Sequence, residues 1–399
     1  MDTITHGIAG ALISKAVFRG EGLLVGKPIN GARIITWSLM LGAIFPDSDV
    51  FRDMFSRDPM LIITWHRSIT HSLVCMPIFA LLLAALTRRF ARWRKWEAPS
   101  FAALTGIYAV GILSHILLDL VTSFGTMIWS PLAWSRPAWD LIFIIDFTFS
   151  AILLLPQILA WIYRRPEGLK NRALISWSVF ALATVGVAAL LNSVNVPTSA
   201  GAIVTIIALL AVLILLPVIR GKGLRVRYAT WNRAGFTAAI VYVALAVYTH
   251  HAAFARMQKF AAAWHLEVQS LGALPLPPSL WHWDGLVRTP RGVYELRMNL
   301  ADKPAAGDAA SLLALEHRYY PDAPPNSFIE AAQRLPEVQT VLWFARFPVT
   351  RFHKEGAEAV VEISDLRFPQ VRRDRPASFT YRVRLDQAGR VISQGWVRN

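Results

Sequence analysis

One cysteine in 399 residues, Cys75, excludes an internal disulfide framework and any thiolate metal site. Acids are scarce as well: 26 Asp and Glu stand against 41 Lys and Arg, a formal charge of +15, and charged residues make up only 17% of the chain. A chain so poor in charge and 54% apolar departs from the balance of a soluble globular domain. The basic residues lie in short clusters between apolar runs, not on one solvated face, which excludes a nucleic-acid-binding surface and points to orientation in a membrane. The first residues, MDTITHGIAGALISKAVFRG, lack the basic leader of a secretory signal; Asp2 and His6 stand where that leader would be, and the segment is expected to be retained.

What the chain does contain is apolar runs, at about residues 3–18, 32–46, 71–87, 100–122, 141–163, 172–191, 200–219 and 235–254. A bilayer core needs roughly 20 apolar residues per helix, so the first two are short and the last five ample. Connections 19–33, 88–99, 164–172 and 220–233 hold three, five, four and five Lys or Arg, whereas 47–70, 123–140 and 192–200 hold three, one and none. Eight spans with the first set cytoplasmic and both termini outside satisfy this asymmetry. Beyond residue 254 the pattern changes. RMQKFAAAWHLEVQSLG is expected to be an amphipathic exit helix and ALPLPPSLWHWDG a proline-rich interfacial linker. Period-two runs such as GVYELRMNL, TVLWFARF, AVVEISDLRF, FTYRVRL and RVISQGWV read as strands, with SFIEAAQRL as a short helix. The expected fold is a membrane all-α bundle of about eight transmembrane helices followed by an extracytoplasmic α+β or mostly β domain. Residues 1–163 would form the helical metal-site unit, 164–270 further spans and the exit helix, and 275–399 the outer domain.

Histidines and aspartates gather at the outer ends of these runs: His6, Asp47, Asp49, His66, His71, His115, Asp119, Asp140 and Asp146. Lys and Arg alone set the orientation, so this clustering is an independent regularity. His115 and Asp119 are four apart and project from one helical face. Pro46 is expected to end the second helix and leave Asp47 and Asp49 free to converge. His66 and His71 are five apart and would diverge by about 140° on one helix. Ser68 or Thr70 is therefore expected to cap the helix start, with His66 in the preceding loop. Charges at mid-bilayer cost about 2.5–3.5 kcal/mol each on insertion scales, so such a set needs a common partner.

Imidazoles with carboxylates suit Zn²⁺, with Mn²⁺ admitted by the acids, and two or three ions could share the metal candidates His6, Asp47, Asp49, His66, His71, His115, Asp119 and Asp146. Such centres lower the pKa of water and clamp the oxygens of a phosphoryl or acyl transfer. Asp49 and Arg67 are the catalytic candidates; Arg67 is suited to a phosphate oxygen and is grouped with Trp65 as substrate-holding. His250 and His251 lack nearby carboxylates and read as interfacial. The tryptophans of WSPLAWSRPAW read as an interfacial belt, and the basic loops as orientation signals first and anionic-lipid contacts second.

MDTITHGIAGAL, FPDSDV, HRSITHS and SHILLDLVTSFGT, in that order, resemble the YdjM-like inner-membrane family described as metal-dependent hydrolases. The resemblance covers about residues 1–150, with ISDLRF as the chief echo beyond. The His115-x-x-x-Asp119 unit is also similar to the zinc-binding motif of the zinc-dependent phospholipase C and single-strand nuclease superfamily, whose members are soluble helical enzymes. Together these resemblances imply phosphoester hydrolysis by metal-activated water at a bacterial-type inner (plasma) membrane. The expected partner is a membrane lipid or lipid-linked substrate, with no nucleic acid. Two rivals remain: an ion transporter, which needs polar groups through the whole bilayer depth, and a non-catalytic regulatory protein with a closed structural metal.

Overall fold

A computed structural model describes residues 1–18, 29–56, 58–193, 198–219, 224, 226–277, 279–302, 315–368 and 379–397. Parts of the connections 19–33, 192–200 and 220–233, on which the orientation expectation rests, lie outside the described residues. All eight apolar runs fold as helix. Helix α1 (Thr3–Ile13) continues as a π-turn over Ser14–Phe18; α2 (Ile29–Ile44) passes through a 3-10 turn (Phe45–Asp49) into the short α3 (Val50–Phe55). Then come α4 (Leu61–Thr64), a 3-10 turn (Ile69–His71), α5 (Met76–Trp93), α6 (Phe101–Leu120), α7 (Phe147–Ile162), α8 (Leu169–Ser193), α9 (Ala200–Ile214), α10 (Leu216–Ile219) and α11 (Tyr228–Ala263).

Among the described residues, five stretches are long and apolar enough to cross a bilayer: Arg33–Arg52, α6, α8, Ala200–Ile219 and α11. The pair Leu61–His71 and Met76–Trp93, bent by 69°, makes a sixth if it counts as one span, and Thr3–Phe18 and α7 are shorter apolar helices. In α8, and again in Ala200–Ile219, only 11% of the most apolar stretch is buried. Leu182 is 73% and Val204 65% exposed, a surface suited to lipid and not to water. Helices α1, α2 and α6 pack closely because small residues face each other. A Cβ at Gly10 would sit 2.8 Å from the Leu39 carbonyl oxygen, and one at Gly111 2.9 Å from the same atom.

The C-terminal part is two antiparallel four-stranded sheets. The first runs in sequence order through β1 (Ser270–Leu276), β2 (His282–Thr289), β3 (Gly292–Asn299) and β4 (His317–Pro321). After α12 (Ser327–Gln333) and α13 (Pro336–Phe344), the second runs through β5 (Pro348–Glu355), β6 (Glu358–Asp365), β7 (Thr380–Leu385) and β8 (Val391–Trp396). Three expectations change here. The strand expected at TVLWFARF is mostly helix α13: Pro336 opens it, and Val338, Val341 and Phe344 are buried at three-residue spacing. The proline-rich linker is two paired strands, with Pro275 tolerated because β1 is a sheet edge. The exit helix holds only to Ala263, as the end of α11, whose 36 residues span about 54 Å, well beyond a bilayer core; the rest of that segment leads into β1. Its last turns bury Ala253, Met257 and Phe260 against Ala273, Trp283 and Val287 of the first sheet.

The second sheet docks on the helical part. Met60, Ile63 and Phe124 share one core with Val341, Phe344 and Ile363. Arg346 pairs with both oxygens of Asp140, at 3.0 and 2.8 Å. Arg367, in the ISDLRF segment, is paired with Asp365 and donates to the carbonyls of Ser123 (3.0 Å) and Phe344 (2.7 Å). The Trp396 indole donates to the Pro59 carbonyl at 2.7 Å.

Candidate metal centre

Three elements deliver four donors to one point. The 3-10 turn that follows Pro46 carries Asp47, the turn before α5 carries His71, and α6 carries His115 and Asp119 one turn apart. One ligand atom of each lies within 4.8 Å of the others. His71 Nε2 and His115 Nε2 are 3.0 Å apart. Asp119 Oδ2 is 3.2 Å from the former and 3.3 Å from the latter. Asp47 Oδ1 is 3.4 Å from His115 and 3.8 Å from His71. An ion bound at 2.0–2.1 Å holds tetrahedral donors about 3.3–3.4 Å apart, so these separations fit one first-row divalent ion. Asp119 Oδ2 is buried, faces both imidazoles and makes no hydrogen bond, as a carboxylate oxygen reserved for a cation would.

A surrounding layer aims these donors. His115 Nδ1 meets the Ala43 carbonyl at 2.6 Å, which turns Nε2 toward the cluster. His71 Nδ1 lies 3.4 Å from Asp49 Oδ2 and 3.1 Å from the Thr70 hydroxyl. Asp49 thus orients His71; its other oxygen meets His66 Nδ1 at 3.1 Å, and Oδ2 accepts the Arg67 backbone N–H at 2.8 Å. His6 stacks on His115 with ring centres 3.6 Å apart and places Nε2 3.2 Å from Asp119 Oδ1. Of the eight metal candidates, seven come together, four as the donor set and three against it. Asp146 does not join them. It caps α7 through the Phe149 N–H and accepts the hydroxyls of Tyr242 and Ser279, so its oxygens are already used.

Arg67 is buried and has φ +59°, a left-handed conformation costly for a non-glycine residue. It is held there from several directions: its N–H by Asp49, its carbonyl by the Met127 N–H at 2.9 Å, and its guanidinium by Asp119 Oδ1 at 2.9 Å and the Thr122 hydroxyl at 2.9 Å. The side chain is thereby a counter-charge beneath Asp119. Trp65 lies under the Arg52 guanidinium, 3.8 Å from its ring centre. The hydroxyl that receives N–H groups ahead of α5 is that of Ser72, from Val74 and Cys75, and not that of Ser68 or Thr70.

Arg136 carries no motif in the sequence, yet it braces the site. Its guanidinium lies between Phe124 (4.8 Å) and Phe344 (5.3 Å) and donates to the carbonyls of His66, at 2.7 Å, and Ile63. Burial, aided by the charges of Arg67 and Arg367, lowers its pKa to about 9. Arg136→Met should therefore free the His66 carbonyl and loosen metal binding by about tenfold, measured as a dissociation constant on the folded full chain.

Among the donors only Asp47 shows appreciable exposure, 12%, and in the surrounding layer His66 shows 23%. No curated protein and no solved structure matches the chain. The family model described as YdjM inner membrane protein matches residues 1–222, more than half of the sequence. With apolar helices of spanning length and histidines and aspartates packed at their ends, the chain belongs to the YdjM inner membrane protein family.

Proposed function

We propose that the protein is an integral-membrane hydrolase that cleaves a phosphoester of a membrane-associated substrate at the Asp47, His71, His115 and Asp119 centre. In this reading the eight apolar helices all cross or enter the bilayer, with the donor face and the C-terminal domain outside the cytoplasm. The observation that carries it is the convergence of four donor side chains within 4.8 Å of one another, with an unused buried carboxylate oxygen. Asp47, His71, His115 and Asp119 would hold a divalent ion, which when bound would supply Lewis acidity toward a phosphoryl oxygen and toward water. The residues of the chain do the rest. His115 and His71 are fixed through their Nδ1 atoms, Arg67 balances Asp119, and Asp47 and His66 form the opening. Around that face Phe51, Phe55, Leu132 and Trp134 are exposed, which suits contact with acyl chains and head groups.

Full-length protein in detergent is expected to carry bound divalent metal and to hydrolyse lipid phosphoesters. Chelation, or His115→Ala, should each lower the rate by more than about 100-fold. A rate indifferent to both overturns the proposal. One observation favours a second reading: the donors are four protein side chains, the number that closes a structural site. Asp47, the most exposed donor, separates the two. Under the hydrolase reading Asp47→Asn keeps much of the metal and loses turnover; stoichiometric metal with no turnover in the wild type supports a binding protein instead.

A further inference from the structure

The far end of α5 holds a second charged feature, remote from the donors. α5 begins just after His71 and ends at Trp93, about 27 Å further along the helix axis. Between residues 88 and 97 lie Arg88, Arg89, Arg92, Arg94, Lys95 and one acid, Glu97. Among the described residues, none of the five cations is ion-paired. Their usual structural task, covering the last carbonyls of a helix, is already performed by the backbone: Arg94 N–H donates to Phe90 O at 2.9 Å and Trp96 N–H to Ala91 O at 2.8 Å. Leu86, Arg89, Phe90 and Trp93, spaced three and four apart, share one face and with Arg92 line an open concavity of about 700 Å³. The Arg94 guanidinium is held over Trp93 (5.6 Å) and Trp96 (5.5 Å).

We propose that this end of α5 is a binding site for the phosphate head group of an anionic phospholipid, in the leaflet opposite the donor cluster. Charge complementarity selects the sign of the ligand, and the neighbouring surface selects a lipid over a soluble anion. The helix continues from Phe90 and Leu86 through Leu82 and Ile78, which are 48%, 54%, 51% and 65% exposed. A phosphate beside Arg89 and Arg92 thus has its acyl chains laid along an open apolar flank. Trp93 and Trp96 sit at the depth of the head groups, where amphipathic rings are favoured. This site is independent of the chemistry at the metal centre.

The test uses the full chain in neutral detergent, titrated with phosphatidylglycerol, phosphatidylcholine or inorganic phosphate, with thermal unfolding as the readout. Phosphatidylglycerol is expected to raise the transition temperature and the other two to leave it unchanged. Each basic residue near a charged head group contributes about fivefold, so the double variant Arg89→Gln, Arg92→Gln should weaken phosphatidylglycerol binding by roughly 30-fold. A cooperative thermal transition in lipid-free detergent reports that it has folded; should it fail to fold, Arg88→Gln with Arg94→Gln replaces it. The control Arg164→Gln, Arg165→Gln, in the connection between α7 and α8, should keep wild-type binding. Equal response to both lipids, an equal shift with inorganic phosphate, or an equal loss in the control pair overturns the assignment.

Discussion

Asp119→Asn is expected to reduce bound metal from stoichiometric to under about a tenth of an ion per chain, measured by elemental analysis of the purified full-length protein. Asp119 is where most of the site's interactions meet. Oδ2 faces His71 and His115, while Oδ1 meets Arg67, His6 and the Met1 nitrogen. An amide of the same shape removes the negative charge and offers N–H groups to one side of that arrangement. Arg67 then remains buried without its counter-charge, a loss of about 3–5 kcal/mol in stability. A fall in both metal content and transition temperature is therefore expected. Asp146→Asn supplies the contrast: an asparagine can still cap α7, and among the described residues the Asp146 side-chain oxygens bond to Phe149, Tyr242 and Ser279 alone. That variant should keep its metal with at most a modest loss of stability. Equal metal loss in the two variants would remove the centre from Asp119.

Asp146 also shows where local sequence stops being informative. A carboxylate at the start of an apolar run reads the same whether it caps the helix or binds an ion, and only the arrival of Tyr242 and Ser279 from distant parts of the chain separates the two. His115 and Asp119 were legible because the helical repeat alone puts them on one face. The convergence of Asp47 and Asp49 was legible from Pro46, but not their division of labour. The 3-10 turn sends Asp47 to the donors and Asp49 to His66 and His71. Apolar length located helix in each of the eight runs, but among the described residues only five stretches reach spanning length. The C-terminal topology was less so: β-branched and aromatic residues made 340–347 look extended, whereas burial of every third side chain under the second sheet made it largely helical. Arg136 and Arg367 act on carbonyl groups supplied by the fold, and a carbonyl has no signature in a sequence.

The close contact of α6 with the α2 backbone gives the other large effect. Gly111→Ala is expected to weaken metal binding by about 10–100-fold and to lower the unfolding temperature, although the residue touches no donor. A methyl group there would lie 2.9 Å from the Leu39 carbonyl oxygen, 3.0 Å from Gly42 Cα and 3.1 Å from the Ala43 nitrogen. All three are main-chain atoms of α2, so no side-chain rotation relieves the overlap and the helices must separate. One turn along α6, His115 Nδ1 meets Ala43 O at 2.6 Å, across the same contact. Separation lengthens that bond, and the imidazole loses the partner that fixes its direction and tautomer. Gly106→Ala, on the same helix, isolates the cause because its Cβ would meet nothing within 4 Å. It should leave metal affinity unchanged and raise stability by up to about 1 kcal/mol through helix propensity alone. If Gly111→Ala bound metal as tightly as the wild type, close packing of α2 on α6 could not be what orients His115.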